Sequence, residues 1–409
     1  MLHVLLACTS TWIEVDSATA QPDSATAPAD DVTEYILSPP ARTLTAPAQA
    51  TLDCAAAIPT DGKTDCQLRL VWPEGDVDWE GTAGVGIHGR SSSGFPKKQY
   101  AIELRDDTGL DAPANLFGMG SEADWLLNGM YLDRALFRNK LAYDLFRDMG
   151  GFAPESAYVE VTLNGAYSGV YLLTERIDHD RVDQPDDDGT GSAFVLRADE
   201  SGIASSIQYG HWLPIYPYPV PTGVSERIVD MEARLLADDP TLWDVVSLDS
   251  FVDFVILEEA LKNNDAYYLS HHLYTDDVGL MRLAPWDLDL TLGQPSYNNN
   301  ELAEYFILYR PDIIAHPATT ALFHDRFVAR WWELRGGLLA NDAVVARMEA
   351  YRSFLGPAID RNWAAWDITQ VPNVGFPLYA VASPDQEYAL VESWIQRHLD
   401  WMDANIESY

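Results

Sequence analysis

Positive charge is scarce: 26 Lys and Arg stand against 63 Asp and Glu, a formal net charge of −37. A field of that sign repels nucleic acid and anionic membranes, so neither is expected as the main partner. Divalent cations and basic protein segments remain compatible with it. Long apolar runs are absent too, and nothing approaches the roughly 20 residues of a bilayer span, so no transmembrane helix is expected. Cysteine occurs three times in 409 residues. What is abundant is hydrophobic content, 47%, which excludes global disorder and indicates a sizeable core.

The cysteines separate into one and two. Cys8 follows the short apolar run of "LLAC" and precedes "STWIEVDSATAQPDSATAPADD", a Ser-, Thr-, Ala-, Pro- and Asp-rich tract. A lipidated cysteine followed by a flexible tether has this form, although the usual basic start is missing; an ordinary disordered N-terminus with an incidental Cys8 is the alternative. Cys54 and Cys66 flank a turn-rich loop that a disulfide would close, and two buried thiols are the other reading. An exported chain with one lipid anchor and one disulfide uses all three.

Residues 1–33 read as signal-like segment and tether, with no internal repeat after them. From about 35 to 105, short alternations such as "CQLRLVW", "GVGIHG" and "YAIEL" predict strands. "DRALFRNKLAYDLFRDMG" changes to helical spacing, and "SAYVEVTLNGAYSGVYLLTERI" is a hairpin turning at Asn164-Gly165. "HDRVDQPDDDGTGS" predicts an exposed acidic loop and "YGHWLPIYPYPVPTG" an irregular crossing. Helices then dominate, the last opening on Ser383 with Pro384 and Gln386 as its start signal. A small polar hairpin, "HHLYT" and "LMRLAPWDLDLTLG", is set among them. A β-rich half, 34–178, thus precedes a mainly helical half, 179–409.

Three stretches carry chemistry. "GRSSSGFPKKQYAIEL" at 89–104 places an Arg, small residues and two lysines before a strand, either a basic turn or a loop shaped to hold phosphate. Asp265 closes a long apolar helix, where the helix dipole disfavours a carboxylate. Asp287 and Asp289 alternate along an apolar run, so a strand there would turn both to one face. Two such carboxylates repel unless they cap a turn or a hard cation such as Mg²⁺ lies between them.

Together with "DRALFRNKLAYDLFRDMG", "VEVTLNGAYSGVYLLTERID" and "NNDAYYLSHHLY", these stretches resemble the CotH kinase family over roughly residues 80–295. The resemblance implies an α+β fold of divergent protein-kinase type, with a β-rich N-lobe and a mainly helical C-lobe. It implies an exported, surface or periplasmic ATP-dependent kinase that phosphorylates Ser or Thr of another protein, with ATP and Mg²⁺ as cofactors. The loop with Arg90, Ser91, Ser92 and Ser93 would cover the phosphates. Lys98, chosen by strand parity over Lys97, would pair with them, and Asp144 is a candidate partner for that lysine. Glu175 would lie near the adenine, Asp265 would deprotonate the acceptor, and Asp287 with Asp289 would hold the metal. His272 stands where the family commonly has an Asn metal ligand, which points to Mn²⁺ or Zn²⁺ or to a pseudokinase scaffold; that His271 and His272 are simply polar residues of a strand is the alternative. A surface adhesion module would account for the exposed aromatics but leaves the Lys and Asp constellation without purpose. The acidic field favours a basic acceptor segment.

Overall fold

Alternating strands in the first half close on themselves. The computed structural model describes residues 43–409 apart from 183, 200–201, 206–210, 264, 268, 295–301, 305, 308–320 and 367–379; the tether 1–33 and Cys8 lie outside the described residues. The strands are β1 (Ala48–Cys54), β2 (Thr64–Val71), β3 (Val77–His88) and β4 (Gln99–Arg105), a short ribbon of β5 (Ala114–Asn115) and β6 (Ser121–Glu122), then β7 (Asp124–Asn128), β8 (Ser156–Leu163) and β9 (Ala166–Glu175). All but the ribbon form a barrel in the order β1-β2-β3-β4-β7-β9-β8, closed by parallel pairing of β1 with β8. Leu52, Leu68, Val85, Ile102, Trp125 and Val159 fill its interior from successive strands. Closure removes the exposed edges that seven open strands would otherwise present. Cys54 and Cys66 lie opposite one another in the β1–β2 register and are joined by a disulfide.

β8 and β9 are buried on both faces. Their outward residues Tyr158, Val170 and Leu172 belong to a second core, shared with α1 (Arg138–Asp148), α2 (Thr222–Leu236), α3 (Leu248–Leu261), α4 (Ala321–Arg335), α5 (Asn341–Leu355) and α7 (Pro384–Asn405). The short α6 (Ala358–Ala365) clasps the barrel. Asn362 Oδ1 accepts from Val170 N at 3.1 Å and from Lys97 Nζ at 2.8 Å. The start of α7 follows its sequence signal, with Ser383 accepting from Gln386 N at 3.3 Å and Pro384 in the first turn.

The second half holds more strand than its sequence suggests. The hairpin of β13 (His271–Thr275) and β14 (Met281–Pro285) joins β10 (Val195–Asp199), β11 (Ile203–Ala204) and β12 (His211–Tyr216) in a sheet ordered β11-β12-β10-β13-β14. This corrects two expectations. The polar hairpin strand β13 is buried along its whole length, His271, His272 and Thr275 included, and the Pro-rich crossing contains β12, whose Pro214 sits beside a register shift in its pairing with β10. A bulge of this kind lets a sheet accept a residue with no N–H. The chain is therefore a mixed α+β protein with a barrel, a second sheet and a helical core.

An ionic network without solvent access joins these parts. Arg138, at the first turn of α1, reaches Asp133 at 2.7 Å and Glu387 of α7 at 3.0 Å, and donates Nε to Thr291 O at 3.0 Å. All three charged side chains are fully buried. Removing one member of a buried ion pair strands the other charge, so Arg138→Leu is expected to lower stability by about 3–5 kcal/mol. Urea denaturation measures it; a loss under 1 kcal/mol would mean that Asp133 and Glu387 do not depend on Arg138.

Candidate active site

Residues remote in sequence meet in a cleft of about 490 Å³ between the barrel and the helical core. Its wall includes Gly89, Arg90, Ser91 and Ser92 on one side and Asp265, Asp287 and Asp289 on the other. The loop side is built by local turns. Gly89 has φ +94°, and a Cβ there would lie 1.9 Å from Ser92 Oγ, so only glycine fits. A 3₁₀ turn over Ser92–Gly94 follows, and Ser93 Oγ donates to Arg90 O at 2.6 Å. Ser93 braces the loop from behind and does not line the cleft.

The aspartate side is assembled by the β13–β14 hairpin. Its two strands run antiparallel, so the chain before β13 returns beside the chain after β14, with Trp286 N donating to Ser270 O at 3.1 Å. Asp265 therefore faces Asp287 despite 21 intervening positions. α3 ends at Leu261 with Lys262 in the left-handed region, so Asp265 lies in the turn beyond the helix rather than closing it. β14 likewise stops at Pro285, and Asp287 has φ +58°. The expected strand alternation does not extend to the two carboxylates; an irregular loop brings both to the cleft. Left-handed backbone at Tyr267, Ser270, Asp287 and Leu292 is conformationally costly for residues other than glycine and persists where surrounding contacts hold it.

Those contacts come from α1. Leu288 N donates to Asn139 Oδ1 at 2.6 Å, Asp287 N donates to Tyr143 OH at 3.2 Å, and Arg138 holds Thr291 O. Leu292 N donates to Leu261 O at 2.8 Å, tying the far end of the loop to α3. Burial, and the repulsion of Asp265, push the Asp287 carboxyl up to about 6. Burial, Asp287 and Asp265 push the Asp289 carboxyl well above the usual carboxylate range, against the pull of Arg138. Carboxylates under such mutual repulsion gain from a cation among them. Among the described residues no group of three or more His, Cys, Asp or Glu forms a ready metal cage. The donors present are two half-buried carboxylates with hard oxygen atoms, a set that suits Mg²⁺, which commonly takes one or two carboxylates and completes its shell with water and phosphate.

Other expected residues are placed elsewhere. Lys98 donates to Ser93 O at 2.7 Å and lines no part of the cleft. Lys97 is buried against Asn362 and the Tyr171 ring, 4.7 Å from its centroid, and burial pushes its amine well below the usual lysine range. Asp144 pairs with Lys140 at 2.7 Å, with Arg147 and with Tyr351 OH, and with neither Lys97 nor Lys98. Glu175 is buried and paired with Arg181, while its neighbour Thr174 lines the cleft. His272 is buried in β13, edge-on to Trp286 at 5.8 Å, and is absent from the cleft wall. Burial and Arg197 hold its imidazole well below the usual histidine range.

Sequence reasoning missed Gln99, Asn128, Tyr143 and Thr174 in the wall, and Glu258 behind it. Glu258 is fully buried in α3, and burial with the nearby Glu259 and Asp265 pushes its carboxyl up to about 8, against a hydrogen bond with Asn263. The available signal was the acidic pair of Glu258 and Glu259 inside "FVDFVILEEAL", since acids within an otherwise apolar helix are seldom there without a partner or a role.

The fold and cleft define a mixed α+β protein in which one arginine-bearing loop confronts three aspartates. Residues 85–402 match the model of the family described as CotH kinase protein, and the chain belongs to that family. Inner spore coat protein H of Bacillus subtilis (strain 168) is 26% identical over 200 residues, covering 44% of this chain and 52% of that protein. The chain thus spans about half the length of this curated relative.

Glu258 makes stability depend on pH. The folded chain keeps its proton up to about 8, whereas an unfolded Glu releases it near 4.5. Its share of stability is therefore full below the lower value and falls as pH rises toward the upper one. Glu258→Gln, which mimics the protonated form, is expected to gain melting temperature over the native chain as pH is raised from 5 to 8. Parallel melting curves across that range would disprove the assignment.

Proposed function

We propose that the chain is an exported ATP-dependent protein kinase that transfers the γ-phosphate of ATP to Ser or Thr of another protein. The observation that carries the reading is the meeting of the Arg90 loop with Asp265, Asp287 and Asp289 in one cleft, supported by membership of a family described as kinase. Phosphoryl transfer asks little covalent chemistry of a protein and depends on positioning and charge. Backbone N–H groups of the small-residue loop and the Arg90 guanidinium suit phosphate oxygens. Asp287 and Asp289 would hold Mg²⁺, which when bound neutralises charge on the transferred group. Asp265, beside them, would orient the acceptor hydroxyl and take its proton. In this reading the barrel and the helical core are the two lobes of a divergent kinase fold, with α1 in the place of the helix that aligns the site.

The disulfide between Cys54 and Cys66 supports export, because such bonds persist in oxidising compartments. No helix among the described residues is long and apolar enough to cross a membrane, so attachment to a surface would fall to Cys8 as a lipid anchor. The net charge would draw a basic acceptor segment toward the protein.

A second reading, a nucleotide-binding pseudokinase, is favoured by one observation: neither Lys97, Lys98 nor His272 lines the cleft. Labelled ATP separates the two readings, with Mg²⁺ and Mn²⁺ in parallel and a basic Ser-containing acceptor. Transfer that falls at least about 100-fold in Asp265→Asn and Asp287→Asn is expected, the scale on which a positioned acid–base group commonly acts. ATP binding without transfer under either metal would establish the pseudokinase instead.

A further inference from the structure

The barrel wall of the cleft carries two amides that the loop and the aspartates do not account for. Gln99 opens β4 and is the register partner of His88 at the end of β3. β4 also pairs antiparallel with β7, Tyr100 opposite Leu127, which sets Gln99 beside Asn128. Both line the cleft although they are only 9% and 6% exposed. Asn128 Oδ1 is occupied by Met130 N at 2.9 Å. Among the described residues no hydrogen bond engages the Gln99 amide or the Asn128 NH₂, and neither group is sealed from the cavity. Their N–H donors are left for what enters.

Their place along the strands indicates which part of a ligand they meet. Gln99 and His88 stand at the mouth of the hairpin whose connection, residues 89–98, begins with the Gly89–Ser92 loop, and His88 lines the same cleft. Leu126 and Thr174, register partners one step farther from that loop, continue the wall in less polar form. The amide pair is thus at the phosphate end of the site. Parity separates Gln99 from Lys98, whereas Lys97 has the parity of Gln99 and is instead held by Asn362 and the Tyr171 ring. Tyr100, Ile102 and Leu104 point into the closed barrel, so the cleft receives the other parity, to which Gln99 belongs.

We propose that Gln99, with Asn128 beside it, binds the phosphate chain of the nucleotide at the position where the resemblance placed a lysine. This rests on the nucleotide reading above. The contact is a neutral donor to phosphate oxygen, and positive charge on this side of the cleft is left to Arg90. The pair discriminates for phosphate by hydrogen bonding and adds no attraction for the base or the sugar.

Calorimetric titration of the purified chain with ATP and with adenosine, each with Mg²⁺, tests the assignment in Gln99→Met and Gln99→Glu. Both replacements are close to glutamine in size, and melting curves check that each variant is folded. Gln99→Met is expected to weaken ATP about tenfold, about 1.4 kcal/mol, with adenosine changed less than about twofold. Gln99→Glu is expected to weaken ATP further, because a carboxylate repels the phosphates. ATP affinity unchanged in both variants would overturn the assignment, as would equal loss for ATP and adenosine, which would move the contact to the base or sugar. If the native chain binds neither ligand, the nucleotide reading itself fails, a result distinct from native-like binding by the variants.

Discussion

The buried guanidinium of Arg138 is the contact on which the rest of the site depends. It compensates Asp133, reaches Glu387 from a helix almost 250 positions away in sequence, and holds the carbonyl of Thr291 in the aspartate loop. Burying such a group is unfavourable unless its charge and its donors are satisfied. Here both needs are met by segments that must then stay in one arrangement. α1 is consequently fixed to α7 and to the loop at once, and Asn139 and Tyr143 on the same helix add two further hydrogen bonds to that loop.

This rigidity bears on electrostatics. Asp265, Asp287 and Asp289 repel one another in a poorly solvated cleft, and a free loop would relax by swinging one of them into water. Hydrogen bonds from α1 and the β13–β14 hairpin keep them together. The repulsion is thereby retained as attraction for a cation, and the left-handed backbone at Asp287 is one local expense of doing so. The loop around Arg90 faces this acidic cluster, so the cleft has charge of both signs in a protein whose net charge is −37. On that arrangement rests the proposal above of a nucleotide with its divalent cation.

Much of the architecture was legible. Period-two alternation in "CQLRLVW" and "YAIEL", the Asn164-Gly165 turn and the start signal at Ser383 each reflect local geometry, and they appear as β2, β4, the β8–β9 hairpin and α7. β12 was not legible, because Pro214 argues against a strand and only pairing with β10 and β11 makes one. Of the residues singled out from the sequence, Arg90, Ser91, Ser92, Asp265, Asp287 and Asp289 line the one cleft. Lys98 was chosen from the alternation of Tyr100 and Ile102. The alternation is real, but in a closed barrel it leads to the interior, and sequence does not state which side of a strand becomes the inside.

The sequence by itself determined the strand and helix periodicities, the small-residue loop, the acidic net charge and the pairs of residues capable of chemistry, because these follow from local sterics and composition. Tertiary structure alone decided barrel closure, the meeting of Arg90 with Asp265 and Asp287, the burial that displaces the titration of Glu258 and Asp287, and the selection of Gln99 over the neighbouring lysines for the cleft wall. Each of these is a consequence of which surfaces face each other once the chain is packed, and long-range contacts of that kind have no local signature.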